Sequence, residues 1–291
     1  GYVLARASLR PVAQMTARAA NIGASSLHER LPVVNPNDEL GRLALVFNEL
    51  LERLQRAFEE QRRFMADASH ELRTPVAVIS GESELALARS DRPLESLREA
   101  LSVVRSESHR LRRIVDDLFL LAHGEEGMQA IKMEELYFGD VVEECVRSIQ
   151  ALATSQGISV ELHCGDTDAA MMGDEGLLRR LVMNILDNAV KYTTPNGRVS
   201  VTLTVRDGHV HLDVTDTGVG IAPEDQPRIF ERFYRGRLRS ASGAHEGAGL
   251  GLSIARWVAR AHGGDVLLLH SSAQGSTFRA DLPLHTADGR A

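Results

Sequence analysis

The stretch that decides how this chain folds is NILDNAVKYT, residues 184–193. Asn184, Asn188 and Lys191 recur at spacings of four and three, so they form a polar stripe on one helix face beside an apolar stripe. Asparagine is a poor helix former, so two of them inside a helix need another reason. Amide oxygens suit Mg²⁺, and a lysine one turn further on suits phosphate. The stretch predicts a ligand-binding helix face; the alternative is a solvated one.

The sequence around this helix has an α/β pattern. Alternating apolar and polar residues predict a hairpin of two strands that turns at Asp207-Gly208. Mixed strands with helices between them predict a two-layer α/β sandwich. The predicted helices cover roughly 140–155, 175–192 and 250–262, and the predicted strands roughly 199–205, 210–214, 265–270 and 276–283.

Two glycine-rich clusters follow, DTGVGI at 216–221 and GAGLGL at 247–252, with IFERFYR at 229–235 between them. Glycines let the backbone approach a ligand closely, and the Asp216 carboxylate can accept a hydrogen bond from an exocyclic amine such as that of adenine. The second cluster precedes a predicted helix, whose free N–H groups suit a phosphate chain. A single glycine-rich turn is weak evidence, but the order of these clusters together predicts a nucleotide site.

Several other classes of protein are excluded by pattern or composition. The chain has no P-loop, none of the catalytic elements of eukaryotic-type kinases, and no glycine cluster after the first strand of a βαβ unit. Its 291 residues carry a net charge of −7, which argues against nucleic-acid binding. Cys145 and Cys164 have no metal-type spacing, and no apolar run is long enough to cross a bilayer.

Upstream, the stretch SHELRTP, residues 69–75, brings an imidazole, a carboxylate and a hydroxyl together. His70 and Thr74 are four apart and therefore share a helix face, with Glu71 beside the imidazole. The set offers a nucleophile, a base and a hydroxyl that can position water, although most helical histidines do no chemistry. By itself this stretch leaves both interpretations open.

Two long amphipathic helices with heptad spacing flank a turn near 90–93. They predict an antiparallel hairpin, and two hairpins predict a dimeric four-helix bundle and hence a homodimer. We expect Pro75 to interrupt the first helix and bend it near His70. The predicted seam residues are Phe47, Leu50, Leu54, Ala57, Gln61, Phe64 and Ala68 on the first helix and Leu97, Leu101, Val104, Ser108, Leu111, Val115, Leu118 and Ala122 on the second.

The N-terminal region, residues 8–58, has the plan of a parallel coiled-coil unit. A short helical stripe is followed by a connector at 23–37, and a second helix is predicted to start after Asn37-Asp38-Glu39. Residues 1–7 pass from apolar to basic, which favours the cytoplasmic end of a membrane helix over an ordinary domain start.

These motifs together resemble those of bacterial two-component sensor histidine kinases over nearly the whole chain. Residues 68–75 are similar to the family's phosphoacceptor box, and 184–193, 216–221, 229–235 and 247–252 are similar to its four nucleotide boxes, in order. Pro11 and the DELG element at 38–41 lie where a HAMP relay has them. The implied domains are a membrane-helix end at 1–7, HAMP at 8–58, dimerisation and histidine phosphotransfer at 59–123, a linker at 124–130, the ATP-binding domain at 131–286 and a tail at 287–291.

The resemblance implies that ATP and Mg²⁺ bind the C-terminal domain, with Asn188 on the metal, Asp216 on adenine and Lys191 near the phosphates. His70 attacks the γ-phosphate with Glu71 as base. The stretch 235–248 is implied to be a mobile lid, whose arginines Arg235, Arg237 and Arg239 either contact phosphate or form a solvated basic loop. The implied nucleotide-binding residues are Asn184, Asn188, Lys191, Tyr192, Asp216, Gly218, Gly220, Phe230, Arg232, Gly247, Gly249, Leu250 and Gly251.

The resemblance further implies transfer of the phosphoryl group to an aspartate on the receiver domain of a response regulator. Thr74 matches the family position that orients water for dephosphorylating that partner. The whole protein is then expected in the bacterial inner membrane, with this fragment in the cytoplasm. Two alternatives are a chaperone-like or topoisomerase-like ATPase with the same nucleotide fold, which leaves His70 unexplained, and a non-catalytic HAMP-coupled relay, which leaves Asn188 and Asp216 unexplained.

Overall fold

A computed structural model describes residues 15–18, 21–23, 26–33, 35–88, 93–125, 131–165, 170–236 and 247–284. The chain divides into two compact units, Gly1–His70 and Glu71–Ala291. Several predictions lie partly or wholly outside the described residues: the membrane-helix end at 1–7, the HAMP region at 8–58 with Pro11, the hairpin turn near 90–93, the linker at 124–130, the lid at 235–248 with Arg237 and Arg239, and the tail at 287–291.

Five α-helices, one 3₁₀-helix and seven β-strands are used below, numbered in chain order. Their bounds are α1 Glu39–Leu87, α2 Leu94–Glu125, β1 Glu134–Tyr137, α3 Phe138–Ser155, β2 Ser159–Cys164, β3 Ala170–Gly173, α4 Glu175–Tyr192, β4 Arg198–Arg206, β5 His209–Asp216, the 3₁₀-helix Gln226–Arg228, α5 Gly251–Ala261, β6 Asp265–Ser272 and β7 Gly275–Pro283.

In the first unit, the predicted connector packs along the N-terminal part of α1. Leu27 and Leu31 are buried, as is Ala44 on the helix. The side chain of Asn48 holds the connector backbone: its Oδ1 accepts from the amide of Leu31 at 2.8 Å, and its Nδ2 donates to the carbonyl of Leu31 at 2.9 Å. The connector therefore gains both apolar burial and satisfied backbone groups.

The start of α1 agrees with the sequence prediction. The carboxylate of Asp38 accepts from the amide of Gly41 at 2.7 Å, which is the hydrogen bond of a helix N-cap. A Cβ on Gly41 would lie 1.6 Å from the carbonyl oxygen of Asn35. The glycine is therefore required for the connector to turn into the helix.

The prediction that Pro75 interrupts the first helix is wrong. Helix α1 runs continuously from Glu39 to Leu87 with Pro75 inside it, where the proline is buried. Proline removes a single backbone N–H from the helical ladder, and the hydrogen bonds of many turns on either side maintain the helix. The expected bend near His70 stays a prediction.

Helix α2 carries apolar residues on two neighbouring faces. Seam residues such as Leu101 and Val115 are 67% and 48% exposed in the single chain. The buried positions lie along a neighbouring face and are Ala100, Glu107, Ile114, Leu120 and Leu121. A bundle helix contacts more than one neighbour, so the buried face and the exposed seam can serve different partners, and the seam stays a prediction.

A five-stranded sheet forms the base of the second unit, in the order β2-β4-β5-β7-β6, with β2 and β4 parallel and the other pairs antiparallel. Strands β1 and β3 form a separate antiparallel pair. The four predicted strands are present, but β1, β2 and β3 were not predicted. The sequence EELY of β1 and AMMG of β3 are four residues each, too short for a clear alternation, and β2 is an edge strand with few apolar residues.

The predicted two-layer sandwich is confirmed. Alternate residues are buried along β5 and along β4 as far as Leu203, including Val201 and Leu212, and the apolar side chains among them form one core with α3, α4 and α5. The opposite face of the sheet is polar, where Arg279 donates two hydrogen bonds of 2.6 Å to Asp213. Residues Ile114, Leu120 and Leu121 of α2 join the same buried core.

Candidate functional site

A cavity of about 650 Å³ opens between the helices and the glycine-rich loops of the second unit. This volume is in the range typical of small-molecule sites. Ten of the predicted nucleotide-binding residues line it: Asn184, Asn188, Lys191, Tyr192, Asp216, Gly220, Gly247, Gly249, Leu250 and Gly251.

Helix α4 supplies the polar stripe. The carboxylate of Asp174 accepts from the amide of Leu177 at 3.1 Å and so caps the start of the helix. Among the described residues, Asn184 Nδ2 is buried and has no hydrogen-bond partner. A buried amide donor without a partner costs free energy, and an oxygen of a bound ligand would satisfy it. Three residues after Asn188, Lys191 Nζ lies 4.9 Å from the ring centroid of Tyr192.

Asp216 ends strand β5 and is 7% exposed. Its Oδ1 accepts from the amides of Gly218 at 2.8 Å and Ser276 at 3.3 Å. Burial raises the pKa of Asp216 above the usual value for an aspartate, although these two amide donors act in the opposite direction. A carboxylate oriented in this way in a cavity wall is suited to accept from an amino group of a planar ligand.

The loop after β5 depends on two glycines. A Cβ on Gly218 would lie 2.3 Å from the carbonyl oxygen of Tyr192, so this residue packs beneath the end of α4 and is not among the lining residues. Gly220 has φ +69°, and its Cβ would lie 1.7 Å from the carbonyl oxygen of Ser272. These contacts explain why the loop sequence alternates glycine with larger residues.

The last glycine cluster leads into α5. Gly249 has φ +73°, and α5 begins at Gly251 without a hydrogen bond from a side-chain cap at Leu250. The amides of the first turn therefore have no intrahelical acceptors and can bind an anion. Gly251 packs against α4, where its Cβ would lie 3.4 Å from Asn184 Oδ1.

Phe230 and Arg232 were predicted to contact the nucleotide, but neither is among the lining residues. The ring of Phe230 packs edge-on against Phe278 at 6.5 Å between centroids, and the guanidinium of Arg256 lies 4.7 Å from the Phe230 centroid. Phe230 therefore supports the wall of the cavity from behind.

One wall of the cavity was not predicted and comes from helix α2. The lining residues on this helix are Arg110, Arg113, Ile114, Asp116 and Asp117. Arg180 of α4 donates a hydrogen bond to Asp117, and burial raises the pKa of Asp117 even though that ion pair opposes the shift. Partial removal from water likewise raises the pKa of Asp187, and the positive charge of Arg113 opposes this shift. The charged residues that interrupt the heptad pattern of α2 could have indicated this wall from the sequence. They do not reveal, however, with which residues they form ion pairs.

The phosphoacceptor-like stretch is largely accessible. His70 and Thr74 are exposed, and Glu71 is half-buried. Two guanidinium groups approach the Glu71 carboxylate, those of Arg110 and Arg235, each at 3.9 Å. These distances describe ion pairs rather than hydrogen bonds.

No group of three or more His, Cys, Asp or Glu side chains in the described ranges is arranged to hold a metal ion. No helix within those ranges is long and apolar enough to span a membrane. Cys145 is buried and Cys164 exposed, and neither forms a disulfide.

Three protein-family models match the chain. The HAMP domain model matches residues 3–56, and the His Kinase A (phospho-acceptor) domain model matches residues 60–127. The model for the histidine kinase-, DNA gyrase B- and HSP90-like ATPases matches residues 173–286.

Two curated relatives and one solved structure extend the comparison. The sensor protein CutS of Streptomyces coelicolor is 36% identical over 286 residues, which cover 98% of this chain and 67% of CutS. The signal transduction histidine-protein kinase BaeS of Escherichia coli is 33% identical over 285 residues, which cover 97% of this chain and 59% of BaeS. The crystal structure of full-length ShkA with AMPPNP aligns with a TM-score of 0.58 at 28% identity, covering 77% of this chain and 46% of ShkA.

Proposed function

Because this chain belongs to the sensor histidine kinases of two-component systems, we propose that its ATP-dependent autophosphorylation occurs on His70. The observation that carries this assignment is the pairing of an exposed histidine in the phosphoacceptor-like stretch with a nucleotide-type cavity in the same chain. An imidazole needs access to its phosphoryl donor, and the exposure of His70 provides it.

In the proposed reaction, a ring nitrogen of His70 attacks the γ-phosphorus of ATP. The new N–P bond forms while the bond from phosphorus to the β,γ-bridging oxygen breaks, and ADP leaves. The carboxylate of Glu71 accepts the proton that the imidazole loses. Phosphoryl transfer depends mainly on positioning and charge neutralisation, so the cavity residues act by orientation.

The proposed nucleotide contacts follow from the chemistry of the lining. The buried donor of Asn184 and the free amides at the start of α5 suit ligand oxygens, and the Asp216 carboxylate suits the adenine amino group. ShkA, which was solved with AMPPNP, shares this fold, and this likeness supports a nucleotide in the same region.

We assign Mg²⁺ to Asn188, whose side chain lines the cavity beside Lys191. An amide oxygen is a hard donor and suits an ion that retains waters and phosphate oxygens in its coordination sphere. When bound, the ion neutralises charge on the transferring phosphate.

The central experiment is labelling with γ-labelled ATP. We expect an acid-labile, base-stable adduct that disappears in His70→Gln, because glutamine has no nucleophilic nitrogen. His109→Gln, on α2, is the matched control and should still be labelled. Equal labelling of His70→Gln and the wild type would contradict the assignment and would favour a different ATPase activity.

The metal assignment is tested separately with Asn188→Asp. A carboxylate at this position changes the charge and geometry of the ion site, so labelling should fall at least about tenfold. Full labelling at all Mg²⁺ concentrations would remove Asn188 from the metal site.

The proposed partner is a response regulator with a receiver domain, which takes the phosphoryl group from His70 onto an aspartate. Thr74 is exposed one turn beyond His70, and we propose that it orients water when the partner is dephosphorylated. Thr74→Ala should retain autophosphorylation and lose most of the phosphatase activity. Unchanged dephosphorylation would exclude this role.

We also propose a homodimer and attachment to a membrane. The exposed apolar residues of the helices, including Leu50, Leu101 and Phe119, support a second copy as their partner. The HAMP match and the relatives that are longer than this chain support a membrane-bound whole protein. The homodimer is tested by light scattering, which should give twice the 31.8 kDa mass of this chain.

A further inference from the structure

Two hydrogen-bonded side chains at the edge of the cavity have no role in the function proposed so far. Tyr234 Oη donates to Asp225 Oδ1 at 2.7 Å, and both residues line the cavity. Asp225 is 5% exposed, so this carboxylate is removed from water and depends on protein partners. The bond joins the start of the 3₁₀-helix to the segment that follows Phe233.

The second oxygen of Asp225 lies against the backbone two residues beyond Tyr234. A Cβ on Gly236 would lie 2.9 Å from Asp225 Oδ2, so any larger residue would have to displace the carboxylate. One buried side chain therefore accepts a hydrogen bond from Tyr234 and lies close to the backbone at Gly236.

Arg228 restrains the tyrosine ring through its face. Its guanidinium carbon lies 4.2 Å from the Tyr234 centroid, and the same guanidinium donates to Glu231 at 3.0–3.2 Å. A guanidinium over an aromatic face is attractive, and the Glu231 pair fixes its direction. The hydrogen bond to Asp225 also raises the pKa of Tyr234.

The restrained segment forms the surface against which Gly249 packs. A Cβ on Gly249 would lie 2.8 Å from the carbonyl carbon of Phe233 and 2.9 Å from the carbonyl oxygen of Tyr234. Phe233 itself has φ +58°, a conformation that a non-glycine residue retains only when its surroundings enforce it. Gly249 lies two residues before the start of α5, whose first residues Gly251 and Leu252 line the cavity.

We propose that Asp225 and Tyr234 are positioning residues for nucleotide binding, which hold the Phe233–Gly236 segment so that Gly249 and the first turn of α5 are correctly placed for the phosphate chain. This inference rests on the proposed nucleotide site. Neither residue needs to touch the reacting atoms, because their effect passes through the backbone that carries the phosphate-binding amides.

The test is Tyr234→Phe, which removes one hydroxyl and keeps the ring. We expect the ATP concentration for half-maximal autophosphorylation to rise about fivefold, the size expected for one lost hydrogen bond, with the rate at saturating ATP within about twofold of wild type. Tyr137→Phe, an exposed tyrosine on β1 outside the cavity, is the matched control and should leave both values unchanged. A Tyr234→Phe protein with wild-type ATP dependence would overturn the inference.

Asp225 variants separate a hydrogen-bond role from general packing. Asp225→Asn keeps the acceptor oxygen and should stay close to wild type, whereas Asp225→Ala should weaken ATP binding at least as much as Tyr234→Phe. The double variant Asp225→Ala with Tyr234→Phe should be no worse than Asp225→Ala alone, because both changes remove the same bond. Additive effects, or an Asn variant as poor as the Ala variant, would overturn the inference.

A fluorescent ATP analogue distinguishes this failure from failure of the proposed function. If the wild-type protein does not bind the analogue, the nucleotide site itself is wrong. If the wild type binds and is labelled while Tyr234→Phe binds equally well, only the positioning role is wrong. Thermal melting of each variant shows whether it is folded, and should Asp225→Ala fail to fold, Tyr234→Phe and Asp225→Asn decide the matter.

Discussion

The two walls of the cavity differ in how they are held together. One wall consists of α4, the loop after β5 and the start of α5, where backbone atoms meet at glycines such as Gly220 and Gly249. The other wall is helix α2, which contributes side chains and is joined to α4 by the ion pair between Arg180 and Asp117. The first wall depends on the absence of side chains and the second on their charge.

This difference indicates how each wall can respond to change. In the glycine wall, backbone groups are in direct contact and leave no space for another group between them. They therefore cannot move apart without reorganising the loop. Partly buried ion pairs can exchange their partners for water at moderate cost. We therefore expect the glycine wall to be rigid and the α2 wall to be the more easily perturbed of the two.

The largest effect is expected from Gly220→Ala in the glycine wall. Its φ of +69° strains any L-residue, and the new Cβ would lie 1.7 Å from the backbone oxygen of Ser272. We expect a loss of about 3 kcal/mol or more of unfolding free energy, together with loss of nucleotide binding. Urea unfolding and binding of a fluorescent ATP analogue measure the two losses.

Gly81→Ala is the matched control for this substitution. Gly81 lies inside helix α1, and nothing is within 4 Å of its ideal Cβ. Alanine is the better helix former, so this variant should be more stable by about 1 kcal/mol. Equal effects of the two substitutions would show that the backbone contact at Gly220 has no special importance.

A smaller effect is expected from Arg180→Ala, which acts on the α2 wall. The variant leaves the Asp117 carboxylate, 24% exposed, without its guanidinium partner. We expect a loss of about 1–2 kcal/mol, between the values for surface and buried pairs, and faster hydrogen exchange of the α2 amides. Urea unfolding and hydrogen-exchange mass spectrometry of residues 107–121 measure these changes.

Arg179→Ala provides the control for losing an arginine from the same helix. The Arg179 guanidinium pairs with Glu144 and Glu175 at the surface and is not among the lining residues, so its removal should cost about 0.5 kcal/mol or less. The charge-reversed pair Arg180→Asp with Asp117→Arg should recover part of the lost stability. If the reversed pair is as unstable as Arg180→Ala, the ion pair does not hold the α2 wall.

The same contrast explains which features were predictable from sequence. Features determined by nearby residues were predicted correctly, such as the asparagine stripe of α4 and the strand pair that turns at Asp207-Gly208, because they depend on local periodicity and turn chemistry. The glycine clusters were located for the same reason, since positive φ and close backbone contact demand glycine.

Features determined by distant partners were missed. The pairing of Arg180 with Asp117 joins residues 63 positions apart, and neither position is unusual within its own helix. Phe230 was assigned to the nucleotide because its motif resembles one of the family's nucleotide boxes, and the sequence did not indicate that its ring packs on Phe278 of β7. The spacing of residues in the sequence shows which of them share one face of a helix or strand. It does not show which other element packs against that face.

The smallest stability effect is expected from Asp216→Asn. This variant tests whether the charge of Asp216, which the glycine wall presents to the nucleotide, destabilises the folded protein. Burial raises the pKa of Asp216 in the folded protein. The carboxyl therefore stabilises the fold at pH values below the ordinary aspartate pKa of about 4. This stability is lost as the pH rises through the raised native pKa. Asparagine keeps an oxygen that can accept from Gly218 and Ser276 and carries no charge. The variant should therefore gain stability relative to wild type as pH rises from about 4 to 7, while its affinity for adenine nucleotides falls about a hundredfold. Urea unfolding at several pH values, paired with nucleotide binding at pH 7, measures both. A stability difference that does not change with pH would show that the charge of Asp216 is not strained in the folded protein.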